Sequence, residues 1–200
     1  GLVGYAEMVR AGGSLRMRHC TIERSTDDGL YFSGSALGVT NCLFAACGGD
    51  GLTLAGGTAT VVNCTLADNS GWGINRTGGT GTVLNCIAWG NGVGGITNNS
   101  SLAVSYSCSQ DSPYGSSNLL SDPLFCYAYY LSVAGLPGQA SNSPCIDAGS
   151  GTADAFGLTN RTTRTDGSND TGIVDLGYHY TNGVDSSVLS NSLLYVNAVS

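Results

Sequence analysis

Five cysteines, Cys20, Cys42, Cys64, Cys86 and Cys108, stand 22 residues apart four times in succession. Other positions keep the same step. Nine residues after each of the first four comes a glycine (Gly29, Gly51, Gly73, Gly95), and an aliphatic follows it (Leu30, Leu52, Ile74, Ile96). Met17, Val39, Val61 and Val83 precede the cysteines by three residues, and Asn41, Asn63 and Asn85 stand just before three of them. A fixed period of about 20–50 residues marks a repeat architecture, in which each repeat buries its apolar face only by stacking on a neighbour.

The period is too short for a two-helix repeat, and its segments are wrong for helices. Val-Val-Asn-Cys-Thr-Leu and Val-Leu-Asn-Cys-Ile-Ala are short and rich in β-branched residues, with Gly56-Gly57 and Gly78-Gly79 as punctuation. Such runs read as strands separated by turns, with no hairpin signal between them. One period is therefore one coil of a parallel β-helix, and coils stack about 4.8 Å apart. A leucine-rich repeat is the rival at this length, but its Leu-x-x-Leu-x-Leu signature is absent. Every repeated position then becomes a ladder. Cys20, Cys42, Cys64, Cys86 and Cys108 face the core with the aliphatics, and the asparagines sit at a bend.

Charged residues are only 10% of the 200-residue chain, well below the usual share of about a quarter. Seven arginines and no lysine oppose fourteen acids, giving net charge −7; this balance argues against nucleic-acid binding. No apolar run approaches the roughly 20 residues of a membrane span. The chain starts at Gly1 without a signal peptide, which suggests a processed protein or a piece of a longer one. Eight cysteines in a lysine-free chain fit an extracellular or cell-surface setting. Equivalent cysteines on adjacent coils point in parallel, which strains a bridge, so the ladder reads as a stack of small buried thiols.

Counting back 22 from Leu30 gives Met8, so residues 1–13 are expected to form an incomplete first coil. Regular coils should fill the rest of 1–111, about five in all. Residues 112–180 read as a loop-rich cap of the same domain, and 181–200 as a strand-like extension. An open coil end offers unpaired N–H and C=O groups to another chain. Leu2, Val3, Tyr5 and Met8 at that end, and Val188, Leu193, Leu194, Tyr195 and Val196 in the extension, are the candidate assembly residues.

Four stretches of the cap carry a resemblance. They are Asp122-Pro123-Leu124-Phe125, Tyr130-Leu131-Ser132, Ser143-Pro144-Cys145-Ile146-Asp147-Ala148-Gly149 and Val174-Asp175-Leu176-Gly177-Tyr178-His179-Tyr180. They resemble the closing region of secreted bacterial right-handed parallel β-helix proteins of the pectate-lyase-like, choice-of-anchor type. That resemblance covers about 5–180 and implies an all-β, right-handed solenoid with an irregular C-terminal cap, and export from the cell. It implies little about activity, because fold does not fix function.

Polysaccharide hydrolysis needs two carboxylates, and lyase chemistry needs a base with Ca²⁺ or Arg to neutralise the uronate. The acidic cluster on the coils is Asp27, Asp28 and Asp50, with Asp28 and Asp50 at one repeat position. The next coils have Trp72 and Gly94 there, and Asp before Gly is ordinary turn chemistry, so no catalytic residue is favoured. Asp166, Ser168, Asp170 and Asp175 space oxygen ligands as a Ca²⁺ loop does, but without its closing Glu. The competing expectation pairs Arg161 and Arg164 with those aspartates. Ca²⁺ is the one cofactor suggested, and none is required.

Cys126 and Cys145 lie outside the ladder, and a bridge between them would stabilise the cap by about 3 kcal/mol. Cys47 stands where later coils have Asn69 and Asn91, an odd thiol or a partner for Cys42. His19 and His179 are isolated, with no metal spacing. Asn75, Asn98, Asn99, Asn160 and Asn169 open glycosylation sequons, as does Asn63 within the ladder. The leading expectation is a secreted, non-enzymatic structural or adhesive protein whose partner is another copy of itself, adding head to tail into a filament, or the upstream part of a larger surface protein. The rivals are a carbohydrate-active enzyme and a glycan-binding module using Trp72, Trp89 or Tyr31.

Overall fold

A computed structural model describes residues 9–97, 100–112 and 115–181. The chain divides into two compact units, Gly1–Ser121 with Leu176–Tyr178, and Asp122–Asp175 with His179–Ser200. The first is a β-solenoid of three faces and about four turns. Its first face stacks Ser14–Arg18, Ala36–Thr40, the later halves of Leu52–Val62 and Trp72–Leu84, Leu102–Ser105 and Gly115–Ser116, all parallel. The second stacks Thr21–Glu23, Leu43–Ala45, Thr65–Ala67, Ile87–Trp89 and Cys108–Ser109. The third stacks Val9–Ala11, Leu30–Phe32, the early halves of the two long strands, and Gly94–Ile96.

Strand periodicity decides what lies inside. Val39, Val61, Val83 and Val104 form one buried column on the first face; Leu30, Leu52, Ile74 and Ile96 form another on the third. The corners explain the asparagines. His19, Asn41, Asn63 and Asn85 all take left-handed φ, between 49° and 54°, at the turn from first to second face. Asn tolerates that conformation better than most residues. A second left-handed corner follows at Arg24, Ala46, Asp68 and Gly90. The glycine pairs are bends inside continuous strands rather than breaks: Leu52–Val62 and Trp72–Leu84 run through them with a register shift.

Two details of register differ from the 22-residue count. Val9, not Met8, pairs with Leu30. At the other end the coil loses a residue between Ile96 and Leu102, so Leu102 pairs with Gly81 and Tyr106 takes the left-handed corner after Asn85. Ser107 therefore occupies the cysteine position and accepts the Cys86 N–H at 3.1 Å, while Cys108 pairs with Ile87. The cysteine column has four members, not five. The coils also run beyond Asp111. Gly115–Ser116 adds to Val104–Ser105, Leu119 bridges Cys108, and Asn118 both accepts from Ser107 N–H and donates to Val104 C=O. Among the described residues, that last step adds no strand to the third face.

The second unit is mostly turns, with short 3₁₀ segments at Tyr127–Tyr129 and Asp154–Phe156 and an antiparallel pair of Arg161–Thr162 with Tyr180–Thr181. Its small apolar cluster is Ala153, Leu158 and Val174, with Phe156 against it. Tyr130 and Tyr180 stack with ring centroids 3.9 Å apart.

Candidate functional site

The coil carboxylates are held in a ladder. Asp28 Oδ1 accepts the backbone N–H of Asp50 at 2.8 Å, one coil on, and Asp50 Oδ1 accepts that of Trp72 at 2.6 Å. Asp111 Oδ2 does the same for Gly95 at 2.7 Å. Asp50 Oδ2 takes Thr53 Oγ1 at 2.9 Å and Asn75 Nδ2 at 2.7 Å. Burial raises the Asp28 pKa; hydrogen bonds from Thr53 and the Asp50 N–H oppose this, and the charges of Asp50 and Asp27 add to it. Asp27 is exposed. These oxygens satisfy backbone N–H groups of the adjoining coil, which is a structural task. Of the candidate stacking residues, Tyr31, Trp72 and Trp89 are all half-buried, and the Trp72 ring lies over Gly94, where any Cβ would strike it.

The suggested Ca²⁺ loop is split. Asp166 pairs with Arg164 at 2.9 Å and accepts Ser168 N–H at 2.9 Å, so the Arg164 pairing forms as expected. Arg161 instead donates to the His179 carbonyl. Asp170 and Asp175 turn inward, only 2% and 1% exposed. His179 Nε2 meets Asp170 Oδ2 at 2.7 Å, and the same oxygen accepts Asp175 N–H at 2.9 Å. Asp175 Oδ1 accepts Asp147 N–H at 2.7 Å, and its Oδ2 accepts the Thr163 hydroxyl at 2.5 Å. Carboxylate oxygens of Asp147, Asp170 and Asp175 lie within 4.8 Å of one another. A hard cation would seek six or more oxygens, and most of those on the two buried acids are already in use.

Sequence reasoning missed this network because it dismissed His179. Nothing in local spacing joins Asp147 to Asp170, Asp175 and His179. The available signal was that two of the four resemblance motifs carry Asp147 and Asp175, and the structure docks those motifs together through Asp147 N–H to Asp175 Oδ1 and Gly149 N–H to Val174 C=O.

The network has a pH signature. Burial, with the neighbouring Asp170 charge, raises the Asp175 pKa from 3.8 to about 6, against the pull of Thr163, the Asp147 N–H and His179. The folded chain thus holds a proton that the unfolded chain releases in that window, so stability falls as pH rises from about 4 to about 6 and stays lower above it. Asp175→Asn is expected to stabilise the chain at pH 8, by up to about 3 kcal/mol, and to change little at pH 4. Thermal unfolding followed by tyrosine near-UV circular dichroism checks this; equal pH slopes in parent and variant would refute it.

Cys126 and Cys145 are not bridged; both remain thiols. Cys145 is fully buried in the turn set by Ser143 Oγ, whereas Cys126 is half-buried with its thiol toward Leu124 C=O. Nor does Cys47 join Cys42: its thiol faces Ala45 C=O and its N–H donates to Asn69. His19 Nδ1 meets the Asn41 amide at 2.9 Å. Among the sequons, Asn63 is fully buried and Asn75 has its amide nitrogen bound to Asp50, while Asn160 and Asn169 are exposed. Asn98, Asn99, Leu2, Val3, Tyr5, Met8, Val188, Leu193, Leu194, Tyr195 and Val196 lie outside the described residues. No helix among the described residues is long and apolar enough to cross a membrane.

Parallel coils stacked on three faces define a β-solenoid repeat protein. The family profile described as "Right handed beta helix region" matches residues 4–112, and the chain belongs to that family. No curated protein and no solved structure matches the chain.

Proposed function

We propose that this chain is a secreted, non-enzymatic structural or adhesive β-helix protein, whose copies add head to tail into a filament at the cell surface. One observation carries the reading. Among the described residues, Ser14–Arg18 and Thr21–Glu23 pair on one side only, and Val9, Ala11, Leu15, Met17 and Cys20 are only partly buried where they end the core. Such an edge is a template for a further coil. Charge favours a second copy as that coil. Residues 1–24 carry Arg10, Arg16, Arg18 and Arg24 against Glu7 and Glu23, whereas the chain as a whole is at −7. A head-to-tail contact of this kind does not close and so propagates.

In the sharper form, the 188–196 segment of one copy adds as a strand beside the first coil of the next, near Leu2, Val3, Tyr5 and Met8. The reading requires no cofactor. Electron microscopy and sedimentation of the full chain test assembly: filaments are expected, and a monomer at all concentrations would end the proposal. Deleting 186–200 should abolish assembly; unchanged assembly would remove the strand-addition form alone. Turnover of pectin, alginate or chondroitin that disappears in Asp28→Asn would favour the carbohydrate-active rival.

A further inference from the structure

Cys20, Cys42, Cys64 and Cys86 form a column of thiols along the inside of the coils. Their surroundings differ from those of ordinary buried apolar groups. The Cys42 N–H donates to Cys64 Sγ, and the Cys64 N–H to Cys86 Sγ, both at 3.4 Å, so peptide dipoles point at sulfur. Each thiol in turn faces the carbonyl two residues before it: Arg18 for Cys20, Thr40 for Cys42, Val62 for Cys64 and Leu84 for Cys86. Cys20 is half-buried, which gives the column a solvent-facing end.

We propose that adjacent thiols of this column, centred on Cys42 and Cys64, bind a soft monovalent cation of the Cu(I) type in two-coordinate fashion. The dimensions fit. Bonds from a d¹⁰ metal to thiolate are about 2.3 Å, so a linear sulfur–metal–sulfur unit spans about 4.6 Å. Coils repeat at about 4.8 Å, and in-register side chains keep that step. Soft thiolate sets select Cu(I), whereas zinc takes four ligands in a tetrahedron, and each gap of the column offers two.

The proton balance is explicit. Two S–H bonds break and two S–metal bonds form, so binding one monovalent cation releases two protons and leaves a bis-thiolate of charge −1. The Cys42 N–H aimed at Cys64 Sγ stabilises that charge. Hydrogen bonding from Cys64, opposed by burial, lowers the Cys42 pKa to about 7, whereas burial pushes Cys64 well above the usual thiol value. Because both thiols give up a proton on binding, affinity should fall on acidification.

Ag⁺ is a redox-inert probe of this site. The full chain, reduced and free of oxygen, is titrated with Ag⁺ and followed by native mass spectrometry. The parent is expected to hold at least one ion more than Cys64→Ser, while Cys126→Ser matches the parent. Serine is a fair replacement because Ser107 already fills this ladder position in the next coil. Should Cys64→Ser fail to fold by circular dichroism, Cys42→Ser gives the same reading. Equal ion counts in parent and folded ladder variant would overturn the proposal, as would Zn²⁺ displacing Ag⁺ at equal concentration.

Discussion

Asn69→Leu is expected to destabilise the solenoid by about 4 kcal/mol and to lower its melting temperature by about 10 °C. Asn69 is 1% exposed and stands at the centre of a buried amide ladder. Its Oδ1 accepts the Cys47 N–H at 3.0 Å, and its Nδ2 donates to Asn91 Oδ1 at 2.9 Å and to Phe44 C=O at 3.3 Å. Asn91 continues the pattern to Leu66 C=O, and Gln110 closes it by accepting Asn91 N–H and donating to its carbonyl. Leucine has similar volume, so the variant removes hydrogen bonds without opening a cavity. It leaves the Cys47 N–H buried with no acceptor, and an orphaned buried amide costs about 1–3 kcal/mol beyond the bond itself. Asn169→Ala, which removes an exposed amide, should stay within about 0.5 kcal/mol. Both tryptophans, Trp72 and Trp89, lie in the coils, so their fluorescence in a denaturant series follows this unit alone. An Asn69→Leu midpoint matching that of Asn169→Ala would show that the ladder contributes nothing.

The ladder also shows how far the chain was legible. A period of 22 revealed the solenoid because side-chain columns need the same residue type at the same step, and valine, leucine and cysteine columns repeat visibly. The sequence even marked the amide ladder, since Cys47 interrupts a position otherwise held by Asn69 and Asn91. What it hid was a single deletion. Cys108 keeps the 22-residue count from Cys86, yet the coil is one residue shorter there, and hydrogen bonding places Ser107 in the column. Counting cannot distinguish a coil that keeps its cysteine from one that slips past it; the left-handed corner at Tyr106 does. The cap was less legible for a different reason. Asp147, Asp170, Asp175 and His179 meet through turns with no period, so local spacing suggested a calcium loop where folding builds a buried acid–histidine network. Asp28 and Asp50 share a repeat position, but only the folded chain reveals that backbone N–H groups already occupy their oxygens that face the adjoining coil.

Gly57→Ala is expected to cost at least about 4 kcal/mol, because two independent effects act at one atom. Gly57 has φ of +64°, where an L side chain is strained by about 1–2 kcal/mol. Its new Cβ would also stand 2.5 Å from the Ser35 carbonyl oxygen and closer still to that of Gly34, both on the preceding coil. Backbone carbonyls cannot rotate aside as a side chain can. The coils must part, which lengthens the hydrogen bond from Thr58 N–H to Ser35 C=O, now 3.0 Å, at the corner where the third face becomes the first. Gly138 separates the two effects. Its φ is +75°, but nothing lies within 4 Å of a Cβ built there, so Gly138→Ala carries the strain alone and should cost about 1 kcal/mol. The difference between the two variants measures how closely adjacent coils approach. Urea unfolding of both, read by tryptophan fluorescence for Gly57→Ala and by tyrosine near-UV circular dichroism for Gly138→Ala, gives that difference directly. If Gly57→Ala costs no more than Gly138→Ala, the coils are not in contact at this corner and the stacking described for 34–58 is wrong.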